Sequence, residues 1–121
     1  MRRHDFKKLH IWLEAMDLID ENYLLTSTLP DYEKFGLRTQ VNRCSVSIAS
    51  NISEGSCKRT DRHFLKYLDE SLGSAFEWET QLNICRRQKF INQDLFLKLE
   101  EKTLKVQNKI SNFMDTLDAN K

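Results

Sequence analysis

Residues 35–55 read FGLRTQVNRCSVSIASNISEG. Leu37, Val41, Cys44, Ile48 and Ile52 recur in this stretch at spacings of four, three, four and four. That is the apolar stripe of a helix facing a core. Threaded beside it are Gln40, Arg43, Ser47, Asn51 and Glu54, where a helix built only for packing would carry small or apolar residues. Polar groups near a core are costly unless paired, so the stretch calls for a polar partner. Residues 73–82, GSAFEWETQL, supply one, with Glu79 falling on the stripe of Leu65, Leu68, Leu72, Ala75 and Leu82. The expected structural network is Gln40, Arg43, Asn51, Glu54, Glu77 and Glu79, in which Arg43 or Gln40 meets Glu77 or Glu79 across a helix pair. Asn51, Glu54 and Gly55 read as a hydrogen-bonded helix end with Gly55 in a left-handed turn, in preference to a ligand or RNA contact.

Working outward, four helices are predicted, over residues about 7–27, 33–55, 60–89 and 92–118. Asp5 or Phe6 lies near the start of the first, whose main stripe is Leu9, Trp12, Met16, Ile19 and Tyr23. Pro30 and Asp31 break the chain before the second, Thr60 and Asp61 suit the start of the third, and Asn92 suits the cap of the fourth. The fourth carries Phe96, Leu99, Thr103, Val106, Ile110, Phe113 and Leu117, a seam with one polar position. Gly73 lies inside the third helix, where an interior glycine costs about 1 kcal/mol relative to alanine, so a close helix approach is expected there. A second seam on the first helix (Ile11, Ala15, Leu18 and Leu25) reads either as part of a wide stripe facing two neighbours in the same bundle or as a subunit interface, and Trp78, off the main stripe of the third, raises the same question. Short connectors make this one all-α domain over residues 1–121, an antiparallel up-down-up-down four-helix bundle.

Composition excludes several functions. The chain has one proline and three glycines, and 19 Lys and Arg against 18 Asp and Glu. Its net charge of +1 gives no strong overall nucleic-acid signature. Cys44, Cys57 and Cys85 are scattered and odd in number, which reads as reduced thiols in the cytoplasm. Glu14 and Asp17 interrupt any signal-peptide core, and no apolar run approaches membrane-spanning length. Di-iron bundles need Glu-x-x-His pairs, and none of His4, His10 and His63 follows a glutamate by three. Zinc-ligand spacing, a Walker loop and a nucleophile elbow are also missing from the sequence. The expectation is a non-enzyme without metal or cofactor.

The basic residues gain meaning from the topology. An up-down-up-down order brings Arg2, Arg3, Lys7 and Lys8 beside Lys58, Arg59 and Arg62 at one end of the bundle. Asp115 and Asp118 reach the same end and dilute the charge, while Arg86, Arg87 and Lys89 belong to the opposite end. Repeated around an oligomer, such a cluster would hold phosphates by multivalency and weaken as salt rises.

A resemblance supports this assignment. Phe6-Lys7-Lys8-Leu9-His10-Ile11-Trp12, Pro30, Phe35-Gly36-Leu37, Gln40, Arg43, Ser47-Ile48, Asn51-Ile52-Ser53-Glu54-Gly55, Phe64, Gly73-Ser74, Glu77 and Glu79 together resemble the four-helix proteins linked to 23S ribosomal RNA intervening sequences, also called S23 ribosomal proteins. Cys44 and Ser53 stand where that family usually has alanine. The resemblance implies a bundle that assembles as a ring-like homopentamer. It is more distant from the accessory bundles of diversity-generating retroelements, which are more basic as a group. The implied function is non-catalytic binding of RNA or another nucleic acid through the basic rim. The alternative is a scaffold that docks an unidentified protein partner. No membrane is implied.

Overall fold

The amphipathic stripes fold into α1 (His10–Thr26), α2 (Leu37–Ser56), α3 (Asp61–Arg87) and α4 (Gln93–Ala119), with no strand among residues 4–119, which the computed structural model describes. The ends follow from local chemistry. Thr60 Oγ1 accepts the His63 amide at 3.1 Å and caps α3, and Asn92 Oδ1 accepts the Leu95 amide at 2.8 Å to cap α4. The first two helices start later than their patterns suggest. Phe6–Lys8 forms a separate 3-10 turn capped by Asp5, and the extended backbone of Leu9 divides it from α1. Asp31–Glu33 forms another such turn, and Glu33 reaches forward to accept the Leu37 amide at 3.0 Å. At the far end of α3, Lys89 takes a left-handed φ of 63°, which lets the Phe90 amide donate to the Cys85 carbonyl and close the helix.

Cross-helix contacts run in antiparallel order around the bundle. Ser47 and Ser71 link α2 to α3, through the Ser74 hydroxyl and the Ile48 carbonyl respectively. Ala75 and Glu79 meet Gln107 across α3 and α4, and Glu14 and Glu21 meet Lys109 and Lys102 across α1 and α4. One apolar core is shared by all four helices.

The structure decides between the readings of the α1 seams and corrects the one of Trp78. On α1 the second seam is the core seam: Ile11, Ala15, Leu18 and Leu25 are buried, while Leu9, Trp12, Met16 and Ile19 are half-buried and Tyr23 is 50% exposed. Trp78 is no interface anchor, since it is wholly buried. Its indole N–H donates to Asn22 Oδ1 at 2.8 Å, the Asn22 amide donates to Asn42 Oδ1 at 2.7 Å, and the Thr26 hydroxyl donates to the same oxygen at 2.8 Å. A buried indole needs such an acceptor, and this chain of bonds ties three helices together.

The glycines also exchange roles. Gly55 lies inside α2 with no left-handed φ; a Cβ there would come within 2.7 Å of Tyr67 Cβ and 2.8 Å of Phe64 Cδ1. Gly73 is exposed, and a Cβ there would meet nothing within 4 Å. The close approach is therefore at Gly55.

Charge fastens the α1–α4 seam. Glu14 Oε1 accepts from Lys109 at 2.8 Å with Lys105 at 3.4 Å, and Glu21 Oε1 lies 3.3 Å from Lys102 and 3.5 Å from Lys98. The Lys109 hydrogen bond holds the Glu14 carboxyl below its ordinary value of 4.5, outweighing the desolvation that raises it. A carboxyl depressed in the folded state contributes its stability above that ordinary value and loses it as pH falls through the folded pKa. Glu14→Gln should thus narrow the stability difference between neutral and acidic solution, by no more than about 1 kcal/mol for a seam partly in solvent. Urea midpoints at the two pH values measure it, and an unchanged difference contradicts the assignment.

Candidate nucleic-acid interface

The expected basic cluster draws on three elements. Lys7 and Lys8 sit in the 3-10 turn before α1, Lys58 and Arg59 in the α2–α3 link, and Arg62 in the first turn of α3. Aromatic packing joins these segments: the His4 ring lies 5.1 Å from that of Phe64, which lies 5.6 Å from that of Phe113 on α4. The five residues therefore share one end of the bundle, while Arg2 and Arg3 lie outside the described residues. Lys58 sits over the Tyr67 ring, 4.9 Å from its centroid. Lys7, Lys8, Arg59 and Arg62 are exposed. Among the described residues, the ion pairs lie on the α1–α4 seam and none engages these four side chains.

Exposed His63 and Lys66 extend the cluster along α3, where Thr60, Arg62, His63, Lys66 and Asp69 border an open groove of about 550 Å³. Asp115 and Asp118 are exposed near the end of α4, on the same side of the molecule. Arg86 belongs to the other end and stacks over Phe96 at 4.8 Å.

The polar network between α2 and α3 takes a different form from the expected one. Gln40, Arg43 and Glu77 are exposed and border a groove of about 300 Å³ with Cys44, Ser47 and Ser74. The closures across the helix pair are small groups: Ser47 Oγ and Ser74 Oγ are 2.9 Å apart, and the Cys44 thiol donates to the Ser74 carbonyl at 3.0 Å. Asn51 donates to the carbonyl and hydroxyl of Ser47 within its own helix, and Glu54 is exposed. Arg43 makes no ion pair with a described residue. Glu79 faces the other way and accepts from Gln107 Nε2 at 2.8 Å. Two steps along a helix turn the side chain by about 200°, so Glu77 and Glu79 cannot serve the same neighbour.

The two buried cysteines are chemically quiet. Burial, with Glu77 adding its charge, pushes the Cys44 thiol up to about 12, and burial takes Cys85 to about 11. Both stay protonated at neutral pH and are poor nucleophiles. Among the described residues no three His, Cys, Asp or Glu side chains come together as metal ligands, and no helix is long and apolar enough to cross a membrane. Two features escape a reading of the sequence alone. The Asn22–Trp78 bond is hidden because Asn22 interrupts an apolar pattern. The lysine row at 98, 102, 105 and 109 does carry a signal, since its spacing of four, three and four marks one helix edge, but the acids that it meets lie on α1.

Comparison with known proteins agrees with the fold. The model of a family described as 23S rRNA-intervening sequence protein matches residues 7–112. A crystal structure of a protein with unknown function from the S23 ribosomal protein family of Bacteroides thetaiotaomicron VPI-5482 superimposes with a TM-score of 0.80 at 19% identity, covering 86% of this chain and 97% of that one. No curated protein matches the chain.

Proposed function

Because the chain belongs to the 23S rRNA-intervening sequence protein family, we propose that it is a non-catalytic, oligomeric four-helix bundle of the cytoplasm that binds RNA or another nucleic acid through its basic end. The observation that carries this reading is the set of exposed cations, Lys7, Lys8, Arg59 and Arg62, none paired with a described acid, in a molecule whose α4 lysines lie against glutamates. Cations held in place without acid partners bind phosphate by releasing its counterions, a sequence-independent interaction.

An exposed apolar face on α1 supports the oligomeric part of the reading. The outer face of α1 exposes Leu13, Tyr23 and Leu24 at 43, 50 and 66%, next to half-buried Trp12, Met16 and Ile19. Burying that face in a homopentamer would repeat the cation cluster five times and multiply a weak contact by avidity. A scaffold for a protein partner is the second reading, favoured by exposed Phe76, Leu97 and Leu104 on α3 and α4.

Charge reversal separates the two. Arg2, Arg3, Arg59 and Arg62 changed together to glutamate should lower RNA affinity at least about tenfold at low salt. The slope of log affinity against log salt should become shallower by about one for each phosphate that is no longer neutralised. Unchanged RNA retention by a folded variant contradicts the basic-end reading and favours the scaffold.

A further inference from the structure

At the basic end, between α1 and α4, lies an open cavity of about 480 Å³. Leu9, Ile11 and Phe113 supply apolar walls, and Lys8, Lys109 and Asn112 supply polar ones. Lys8 belongs to both the cavity and the cation cluster, so the two are continuous. The Phe113 ring is held edge-on to buried Phe64, which fixes an aromatic wall instead of leaving a mobile side chain. The charge around Lys109 is in surplus, because Lys105 and Lys109 share the single carboxylate Glu14.

An apolar, aromatic cavity bordered by two ammonium groups suits a flat apolar body that carries an anion. We infer that this cavity receives one unstacked nucleotide of single-stranded RNA, its base against Phe113 and its phosphate at Lys8, the cation of the cavity wall with no described acid partner. The inference rests on the proposed function and sharpens it. A phosphate-binding rim alone does not favour single strands, since a duplex presents the higher density of backbone charge. A cavity for a base does, because a paired base stays in its stack, and one base–aromatic stack is worth about tenfold in affinity. Asn112 adds a side-chain amide able to donate to and accept from a base edge.

The test uses the full chain, a single-stranded RNA carrying one 2-aminopurine, and the matched RNA duplex. The wild-type protein is expected to bind the single strand about tenfold more tightly and to change the 2-aminopurine fluorescence. Thr116→Leu intrudes on the cavity from α4 without changing charge and without adding a ring on which a base could stack. Thr116 is exposed and, among the described residues, its hydroxyl bonds only to the Asn112 carbonyl of its own helix, so the fold tolerates the change. The variant should keep its duplex affinity and lose the single-strand preference, and Asn112→Leu should do the same. If both variants bind the two RNAs as the wild type does, the cavity inference is overturned while the basic-end reading stands. If the wild type binds neither RNA at low salt, the proposed function fails and the inference falls with it.

Discussion

Trp78→Ala should destabilise the fold by about 3–5 kcal/mol, a large fraction of the roughly 5–15 kcal/mol that a domain has. The indole is wholly buried, so truncation removes the largest side chain of the core and leaves a cavity among helices that cannot fully collapse. It also strands Asn22 Oδ1, which is wholly buried and otherwise accepts the indole N–H at 2.8 Å. Trp78→Phe leaves a much smaller cavity, so the second effect weighs more. It keeps an aromatic ring but leaves the asparagine oxygen unpaired, for about 1–3 kcal/mol. Urea unfolding at one fixed protein concentration measures both, since assembly would otherwise shift the midpoints. A loss under about 1 kcal/mol for Trp78→Ala would contradict the buried position and return Trp78 to the surface.

The two helical glycines should respond to alanine with opposite signs. At Gly73 the added methyl meets nothing, and the helix gains about 1 kcal/mol from reduced backbone freedom. At Gly55 the same gain is opposed by overlap with Tyr67 Cβ and with the ring of wholly buried Phe64. Neither neighbour is the loose end of a flexible side chain. Parting α2 from α3 costs about 1–3 kcal/mol, and a larger side chain such as valine costs more. Gly73→Ala should therefore raise the urea midpoint and Gly55→Ala lower it. The opposite order would return the close helix approach to Gly73.

These residues show where the sequence is legible. The α4 pattern can be read directly: Phe96, Leu99, Thr103, Val106, Ile110 and Leu117 are all buried, because a single clean stripe leaves one way to face the core. The α2 stripe behaves likewise, with Val41, Cys44, Ile48 and Ile52 buried. On α1 two stripes of similar apolarity compete. The winning one contains Ala15 and Asn22, which count little or negatively in any hydrophobic pattern. Only the partner helix reveals that Asn22 is there to satisfy Trp78, and a one-dimensional pattern carries no such information. Glycine is ambiguous for the same reason: its cost in a helix is local, but its justification lies on the neighbouring helix. The candidate interface is partly legible. Topology alone gathers Lys7, Lys8, Lys58, Arg59 and Arg62, whereas the pairing of Arg43, Glu77 and Glu79 depends on helix rotation, which the stripe fixes too loosely. The cavity beside Lys8 and Lys109 joins residues 101 positions apart in sequence and has no local signature.

The most direct measurement is RNA binding by the purified full chain across a salt series, with native mass recorded on the same sample. The account predicts a multimer whose affinity falls steeply and linearly in log–log form as salt rises, with the slope set by the cations of the basic end. The absence of RNA binding at low salt, or binding indifferent to salt, would contradict it.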